Sequence, residues 1–283
     1  MHILYILILA FVQGLAELLP VSSSAHVVVV EKLLGLDPSS PAMTLLLVML
    51  HTGTMFAVIV YFWSQWRDAY FQSTGAFKKF AGFVVVATAL TGLIGEAIIK
   101  KTFFRNVPHA EIEDLFGHLE LIAPALALVG ILILIAGIVE KRNPKKEAND
   151  LNVRQAGIIG AVQGLCLPFR GFSRSGATIS TGMLLGVAKA RVEMFSFALA
   201  VVLTPIVVAR EVVRVVHTEH TNGTAGLASA VFPYLLGAVF AFLAGLFALK
   251  WLSRWLEGGR WYLFGVYCLI AAAVVDYLHR LGY

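Results

Sequence analysis

Apolar residues along the chain fall into runs separated by short charged stretches, and most runs approach the length of about 20 residues that crosses a hydrocarbon core. Six read as plain membrane spans, near residues 43–63, 80–99, 119–139, 193–215, 230–250 and 261–279. Two further apolar stretches, 3–36 and 156–190, are interrupted by Pro20-Val21-Ser22-Ser23-Ser24 and by Gly-Phe-Ser-Arg-Ser-Gly at 171–176. Each is too broken for a plain span and predicts two half-helices joined by a polar turn. Such a turn is tolerated at membrane depth only when buried in protein or lining a wet cavity. The expected fold is an all-α polytopic membrane protein with about six transmembrane helices and two re-entrant helix pairs.

Basic residues test the layout, because loops on the cytoplasmic side collect Lys and Arg. With 3–36 entering and leaving on one side, the loops 64–79, 140–155 and 250–260 share a face and carry Arg67, Lys78, Lys79, Lys141, Arg142, Lys145, Lys146, Arg154, Lys250, Arg254 and Arg260. The opposite loops 37–42 and 217–229 contain no Lys or Arg. The exception, 100–118, dilutes Lys100, Lys101 and Arg105 with Glu111, Glu113 and Asp114. The basic side is therefore expected to be cytoplasmic, with both termini outside. The two broken segments then dip in from opposite sides, which is an inverted-topology repeat. Val12-Gln13-Gly14-Leu15 recurs as Val162-Gln163-Gly164-Leu165, each copy ahead of a proline and a Ser-rich turn. Residues 1–283 are expected to form a single integral membrane domain, with pseudo-repeats at about 1–139 and 156–283 and a cytoplasmic linker at 140–155.

Composition narrows the classes. The chain of 283 residues is 59% hydrophobic and 14% charged, against about 25% charged in an ordinary soluble domain. This excludes a cytosolic enzyme, a disordered protein and a disulfide scaffold. The net charge of +5 sits at span ends rather than in one patch, so no nucleic-acid partner is expected. Cys166 and Cys268 lie in apolar surroundings and read as small core residues. No Lys or Arg precedes the first apolar stretch and no small-residue cleavage site follows it, so that segment is expected to stay in the mature fold.

Candidate chemistry gathers at the two breaks. In the first, Gln13 and Glu17 share a helical face at i,i+4. Pro20 stops that helix, Ser22, Ser23 and Ser24 are cap candidates for the next one, and His26 follows within a turn of Ser22 and Ser23. In the second, Gly171 and Gly176 allow close approach, Ser173 and Ser175 cap a helix start, and Arg174 supplies a planar cation with Thr178 one turn on. Free N–H groups at a helix start, an arginine and hydroxyls describe a cradle for an oxyanion or phosphate. Ser and Gly ordinarily serve helix packing in membranes, but charges at such depth default to function.

Other polar residues rate lower. Glu96 with Lys100 and Asp276 with Arg280 read as helix-end pairs. His217 and His220 read as part of a solvated loop with no third ligand, and His51 as a support behind the site.

The pattern (Glu/Gln)-Gly-x-x-Glu-x-x-Pro-x-Ser-Ser-x-x-His at 13–26, joined with Gly-x-Ser-Arg-Ser-Gly-x-Thr at 171–178, resembles the bacterial undecaprenyl-diphosphatase family, and the resemblance spans essentially the whole chain. It implies hydrolysis of undecaprenyl diphosphate to the monophosphate and inorganic phosphate, recycling the lipid carrier of peptidoglycan synthesis and conferring bacitracin resistance. It implies a multi-pass protein of the bacterial cytoplasmic (inner) membrane with its active site facing the periplasm or outside, and it is compatible with a homodimer. The family's functional residues carry over onto Glu17, Ser22, Ser23, His26, Ser173, Arg174, Ser175 and Thr178. Gln13 stands where many members have a second glutamate. Phe169-Arg170 lies between Pro168 and Gly171 where the common pattern runs Pro-Gly, so Arg170 is either an added phosphate contact or a change in how the turn is built.

The residue chemistry suits this class, since a diphosphate needs its charge neutralised beside a positioned nucleophile. Arg174, the hydroxyls from Ser173 to Thr178 and the helix-start N–H groups are expected to hold phosphate, with Gln13, Ser22 and Arg170 as further substrate contacts. His26 serves as nucleophile or as general base for Ser23 or water. Glu17 orients His26 or holds a divalent cation, Mg²⁺ or alternatively Ca²⁺. The rival class is a transporter or flippase of a lipid phosphate or other anion, which would use Arg174 but not need His26. A catalytically dead scaffold is a third.

Overall fold

The computed structural model describes residues 2–38, 40–98, 119–142, 151–166, 169, 171–220 and 227–282. Ten helices and no strand occur among them: α1 (Ile3–Leu18), α2 (Ser23–Leu33), α3 (Pro41–Tyr70), α4 (Thr74–Ile98), α5 (Leu119–Arg142), α6 (Val153–Cys166), α7 (Arg174–Leu184), α8 (Lys189–His220), α9 (Leu227–Glu257) and α10 (Tyr262–Arg280). The starts follow from local chemistry. Ser40 caps α3 by accepting from the Met43 N–H at 3.4 Å, with Pro41 in the first turn. Asn152 and Gln155 close a reciprocal capping box on α6, at 2.9 and 3.0 Å.

Five described helices are long and apolar enough to cross a membrane: 42–70, 74–94, 121–142, 232–257 and 262–280. They coincide with five of the six expected spans, and the sixth falls on the continuous helix α8. The protein is a polytopic all-helical membrane protein. Large apolar side chains on its perimeter, among them Phe56, Val85, Leu93, Phe232 and Phe247, are exposed as lipid contact requires.

Helix ends and span ends differ. The segment 64–79 was expected as a loop, yet α3 and α4 continue through most of it and leave only 71–73 between them. Lys250 and Arg254 likewise lie on α9, and the segment expected as a loop from 217 begins inside α8, which carries His217 and His220. Charges bound the apolar window, but residues such as Gln65, Arg67 and Lys78 are good helix formers and carry the helix on past it.

Several of the basic segments meet at one end of the bundle. Lys189 on α8 pairs with Glu140 on α5 at 2.8 Å, and Lys141 lies over the Tyr262 ring at 5.2 Å. Close by in sequence, the Tyr61 hydroxyl donates to Ser253 (2.9 Å), which donates to the buried Glu193 (2.7 Å) and so links α3, α9 and α8. Trp261, Phe62, Phe195 and Phe197 fill the adjoining core.

Two short helices pack on long ones through glycine. Along α1, Ile6 faces Gly237, Gly14 lies on Ala241 and Ala244, and Leu18 faces Gly245, so α1 runs parallel to α9. Along α6, Gly160 lies on Ala87 and Gly164 on Thr91, so α6 runs parallel to α4. The remaining long helices meet chiefly as α5 with α10, α3 with α9 and α3 with α8. Both short helices thereby deliver a polar break into the interior. Cys166 and Cys268 are free and buried, as expected, and Asp276 pairs with Arg280 at 2.9 Å. The side chain of Glu96, the linker residues 143–150, and Arg170 lie outside what is described.

Candidate active site

Each break is built by its own sequence. Pro20 ends α1, whose last N–H bond runs from Leu19 to the Leu15 carbonyl at 3.1 Å. The chain turns at Ser22 with φ +67°, the one non-glycine residue with positive φ among the described residues, and restarts as α2 at Ser23. A non-glycine residue there is strained, and such strain concentrates at functional sites. In the second break Gly171 has φ +97°, and a Cβ at this position would stand 2.5 Å from the Ile122 carbonyl oxygen. Ser173 then caps α7, accepting from the Gly176 N–H at 3.2 Å, and Arg174 is the first helical residue. The breaks are tied together where the Gly171 N–H donates to Ser24 Oγ and Ser175 Oγ donates to the Leu19 carbonyl, both at 3.4 Å.

Glu17 is the hub. Its Oε1 meets Arg174 Nη2 at 3.2 Å. Its Oε2 accepts from Ser23 Oγ at 2.5 Å and from Gln13 Nε2 at 3.2 Å, with His51 Nε2 at 3.6 Å. The side chains of Glu17 and Arg174 are only 16% and 21% exposed, so the pair is largely desolvated and each charge depends on the other. Arg174 Nη1 is buried with no hydrogen-bond partner among the described residues. A donor left that way next to helix-start N–H groups invites an anion.

His26 stands beside this hub rather than on it. Its Nδ1 lies 2.8 Å from the Ser22 carbonyl, which can only accept, so Nδ1 carries the proton and a neutral ring keeps its lone pair on Nε2. Nε2 lies 2.7 Å from the Tyr267 hydroxyl on α10. No hydrogen bond or ion pair joins His26 to Glu17 among the described residues; the carboxylate accepts from Ser23 and faces His51. The physical reason is local: the His26 ring folds back on the carbonyl four residues earlier, which aims it sideways at α10.

The other expected site residues divide. Gln13, Ser23 and Arg174 converge on Glu17, and Ser22 contributes its carbonyl to His26 and its hydroxyl to Ser24 at 3.2 Å. Ser173 and Ser175 are 2% and 3% exposed and serve the turn itself. Thr178 is fully buried, donating to the Arg174 carbonyl at 2.8 Å and pairing with Ser196 at 2.6 Å. It steadies the arginine from below. Tyr267 and Ser196 were not singled out from sequence, and only contacts across the fold reveal them.

Among the described residues no group of three or more His, Cys, Asp or Glu side chains could hold a metal. The donors present are one carboxylate and a serine hydroxyl. That set fits a Mg²⁺-type ion, which binds through one or two carboxylates and completes its shell with phosphate oxygens and water. Beside His26 opens an apolar cavity of about 510 Å³, walled by Phe11, Leu15, Trp251, Trp255, Tyr267 and Ile270.

The family model described as bacitracin resistance protein BacA matches residues 6–274. The chain belongs to this family. A relative named undecaprenyl-diphosphatase 2, from Acinetobacter baylyi, is 57% identical over 281 residues, covering 97% of both chains. Relatives of the same name from Burkholderia ambifaria and Burkholderia orbicola are 30% and 32% identical over 282 residues, covering 96% of this chain and 95% of theirs. The matched residues include both helix breaks.

Proposed function

We propose that the protein is an undecaprenyl-diphosphate phosphatase, hydrolysing the lipid diphosphate to undecaprenyl phosphate and inorganic phosphate and so returning the lipid carrier to peptidoglycan synthesis and conferring bacitracin resistance. The observation that carries this reading is the junction of the breaks: a largely buried arginine with a nitrogen that has no partner among the described residues, a carboxylate, and a histidine that lines an apolar cavity. The cavity suits a prenyl chain and the polar junction suits its diphosphate.

In this reading Arg174 and the N–H groups at the start of α7 neutralise the phosphates, and electrostatic stabilisation of the transferring phosphoryl group is the largest contribution. Glu17 sets the guanidinium in place and receives the Ser23 hydroxyl. His26 acts through Nε2. It either attacks the terminal phosphorus as the bond to undecaprenyl phosphate breaks, with water then releasing phosphate from the ring, or takes a proton from Ser23 or from the attacking water. Gln13 keeps Glu17 oriented. Glu17 and Ser23 would hold a divalent cation, Mg²⁺ or Ca²⁺, which when bound supplies charge neutralisation on the phosphates.

Packing direction supports a finer reading. The parallel packing of α1 on α9 and of α6 on α4 suits two broken pairs that enter from opposite ends of the bundle. We read them as re-entrant pairs of an inverted repeat, about 1–139 and 156–283 around a linker at 140–155, in a single membrane domain. The basic end is cytoplasmic by the positive-inside rule, the membrane is the inner membrane, and the site opens outward. The homodimer that the resemblance allows adds no side chain to the site in this reading.

The inverted arrangement also suits a transporter or flippase. Phosphate release in detergent separates the two, because vectorial transport has no meaning without compartments. Release from purified protein supports the phosphatase, lipid binding without release the carrier or a dead scaffold.

A further inference from the structure

The hydrolytic reading leaves one contact unused, the one that Nε2 of His26 makes. With Nδ1 committed to the Ser22 carbonyl, Nε2 is the only ring nitrogen able to attack or to take a proton. Tyr267 Oη sits on it at 2.7 Å, and a phenol facing that lone pair donates. The two rings also stack, with centroids 5.6 Å apart and planes 12° off parallel. The partners are 241 residues apart, so the contact is a product of the tertiary fold and not of a helical turn. As found, the lone pair the chemistry needs is occupied.

Tyr267 is not locked in place. The residue is 46% exposed, and its hydroxyl has no partner other than His26 among the described residues. Its ring forms part of the wall of the apolar cavity, together with His26 itself and with Phe11, Leu15, Trp251 and Trp255. A chain that fills this cavity must press on the one wall residue that also covers Nε2.

We propose that Tyr267 is a positioning latch on His26: it holds Nε2 capped in the empty protein, and an isoprenoid chain entering the apolar cavity moves the phenol off and frees the nitrogen. The site then works on lipid-linked diphosphates and stays silent towards water-soluble ones that could reach Arg174. The same charge cradle would otherwise accept inorganic diphosphate, so discrimination has to come from the chain. This latch rests on the phosphatase reading for its consequence, but the contact can be followed without turnover.

The test compares Tyr267→Phe with wild type in two ways. In the kinetic arm, hydrolysis of farnesyl diphosphate and of inorganic diphosphate are measured side by side. Loss of one hydrogen bond to the working nitrogen is expected to raise kcat/KM for inorganic diphosphate by about tenfold. For farnesyl diphosphate, which displaces the ring anyway, it should change by less than about threefold, so the ratio narrows. In the spectroscopic arm, the ¹⁵N resonance of Nε2 in labelled, full-length protein is followed while farnesyl methylenediphosphonate is added. It should shift in wild type towards the position already seen in ligand-free Tyr267→Phe, and shift little in that variant. Equal losses on both substrates would make Tyr267 a structural support and overturn the latch, as would a wild-type Nε2 signal unmoved by bound phosphonate. If wild type hydrolyses neither substrate, the phosphatase reading fails, and the spectroscopic arm alone decides whether the chain moves Tyr267.

Discussion

Arg174 and Glu17, 157 residues apart, meet at 3.2 Å and join the two helix breaks. Neither break makes a site alone: one brings the carboxylate and histidine, the other the cation. Arg174→Lys keeps the charge but loses the planar fork that serves Glu17 with one nitrogen and leaves another for phosphate. We expect at least about a hundredfold loss in kcat/KM with the fold intact. Arg174→Ala leaves the largely buried Glu17 carboxylate without its cation, so its thermal unfolding midpoint in detergent should fall as well. An Arg174→Lys protein with near-normal turnover would remove the arginine from the phosphate site.

The two Gln-Gly pairs have parted in role. Gln13 Nε2 donates to Glu17, whereas Gln163, fully buried, donates to Thr91 Oγ1 at 3.3 Å and binds α6 to α4. Gln13→Ala should therefore slow hydrolysis by about tenfold while leaving the melting temperature within a degree or two. Gln163→Ala should do the reverse, and paired activity and unfolding measurements separate them.

Glycine sets how closely neighbouring helices approach. A Cβ at Gly53 or at Gly160 would run into the backbone of Ala238 or Ala87. Backbone cannot swing aside as a side chain can, so Gly53→Ala and Gly160→Ala should each destabilise by about 1–3 kcal/mol. Gly75→Ala, where nothing lies within 4 Å, is the control and should leave stability unchanged. Thermal unfolding of the three variants decides this.

A divalent cation held by Glu17 and Ser23 makes a further expectation. Chelation should abolish phosphate release, Mg²⁺ should restore it, and Glu17→Gln should not be rescued at any concentration tested. Release that is indifferent to a chelator would leave Arg174 as the main source of positive charge.

Much of this was legible from the chain. Pro20 and the serines after it announce the first break, Gly171 to Gly176 the second, and local chemistry places Ser173 as a cap and Arg174 at a helix start. Helix lengths were less legible, since charge marks where lipid ends and not where hydrogen bonding ends. The pairing inside the site was hidden for a different reason. Spacing places Gln13 beside Glu17 and His26 beside Ser22, but it does not show where the His26 ring turns: a Ser22 with positive φ and a ring folded onto its own backbone send His26 to Tyr267. No periodicity can foretell a contact between α2 and α10.

The most direct test of the account is release of inorganic phosphate from undecaprenyl diphosphate by detergent-purified protein, wild type beside His26→Gln. The account expects steady release by wild type and at least about a hundredfold less by the variant, with both equally folded. A folded wild type that binds the lipid and releases nothing, or a His26→Gln variant as active as wild type, would contradict it.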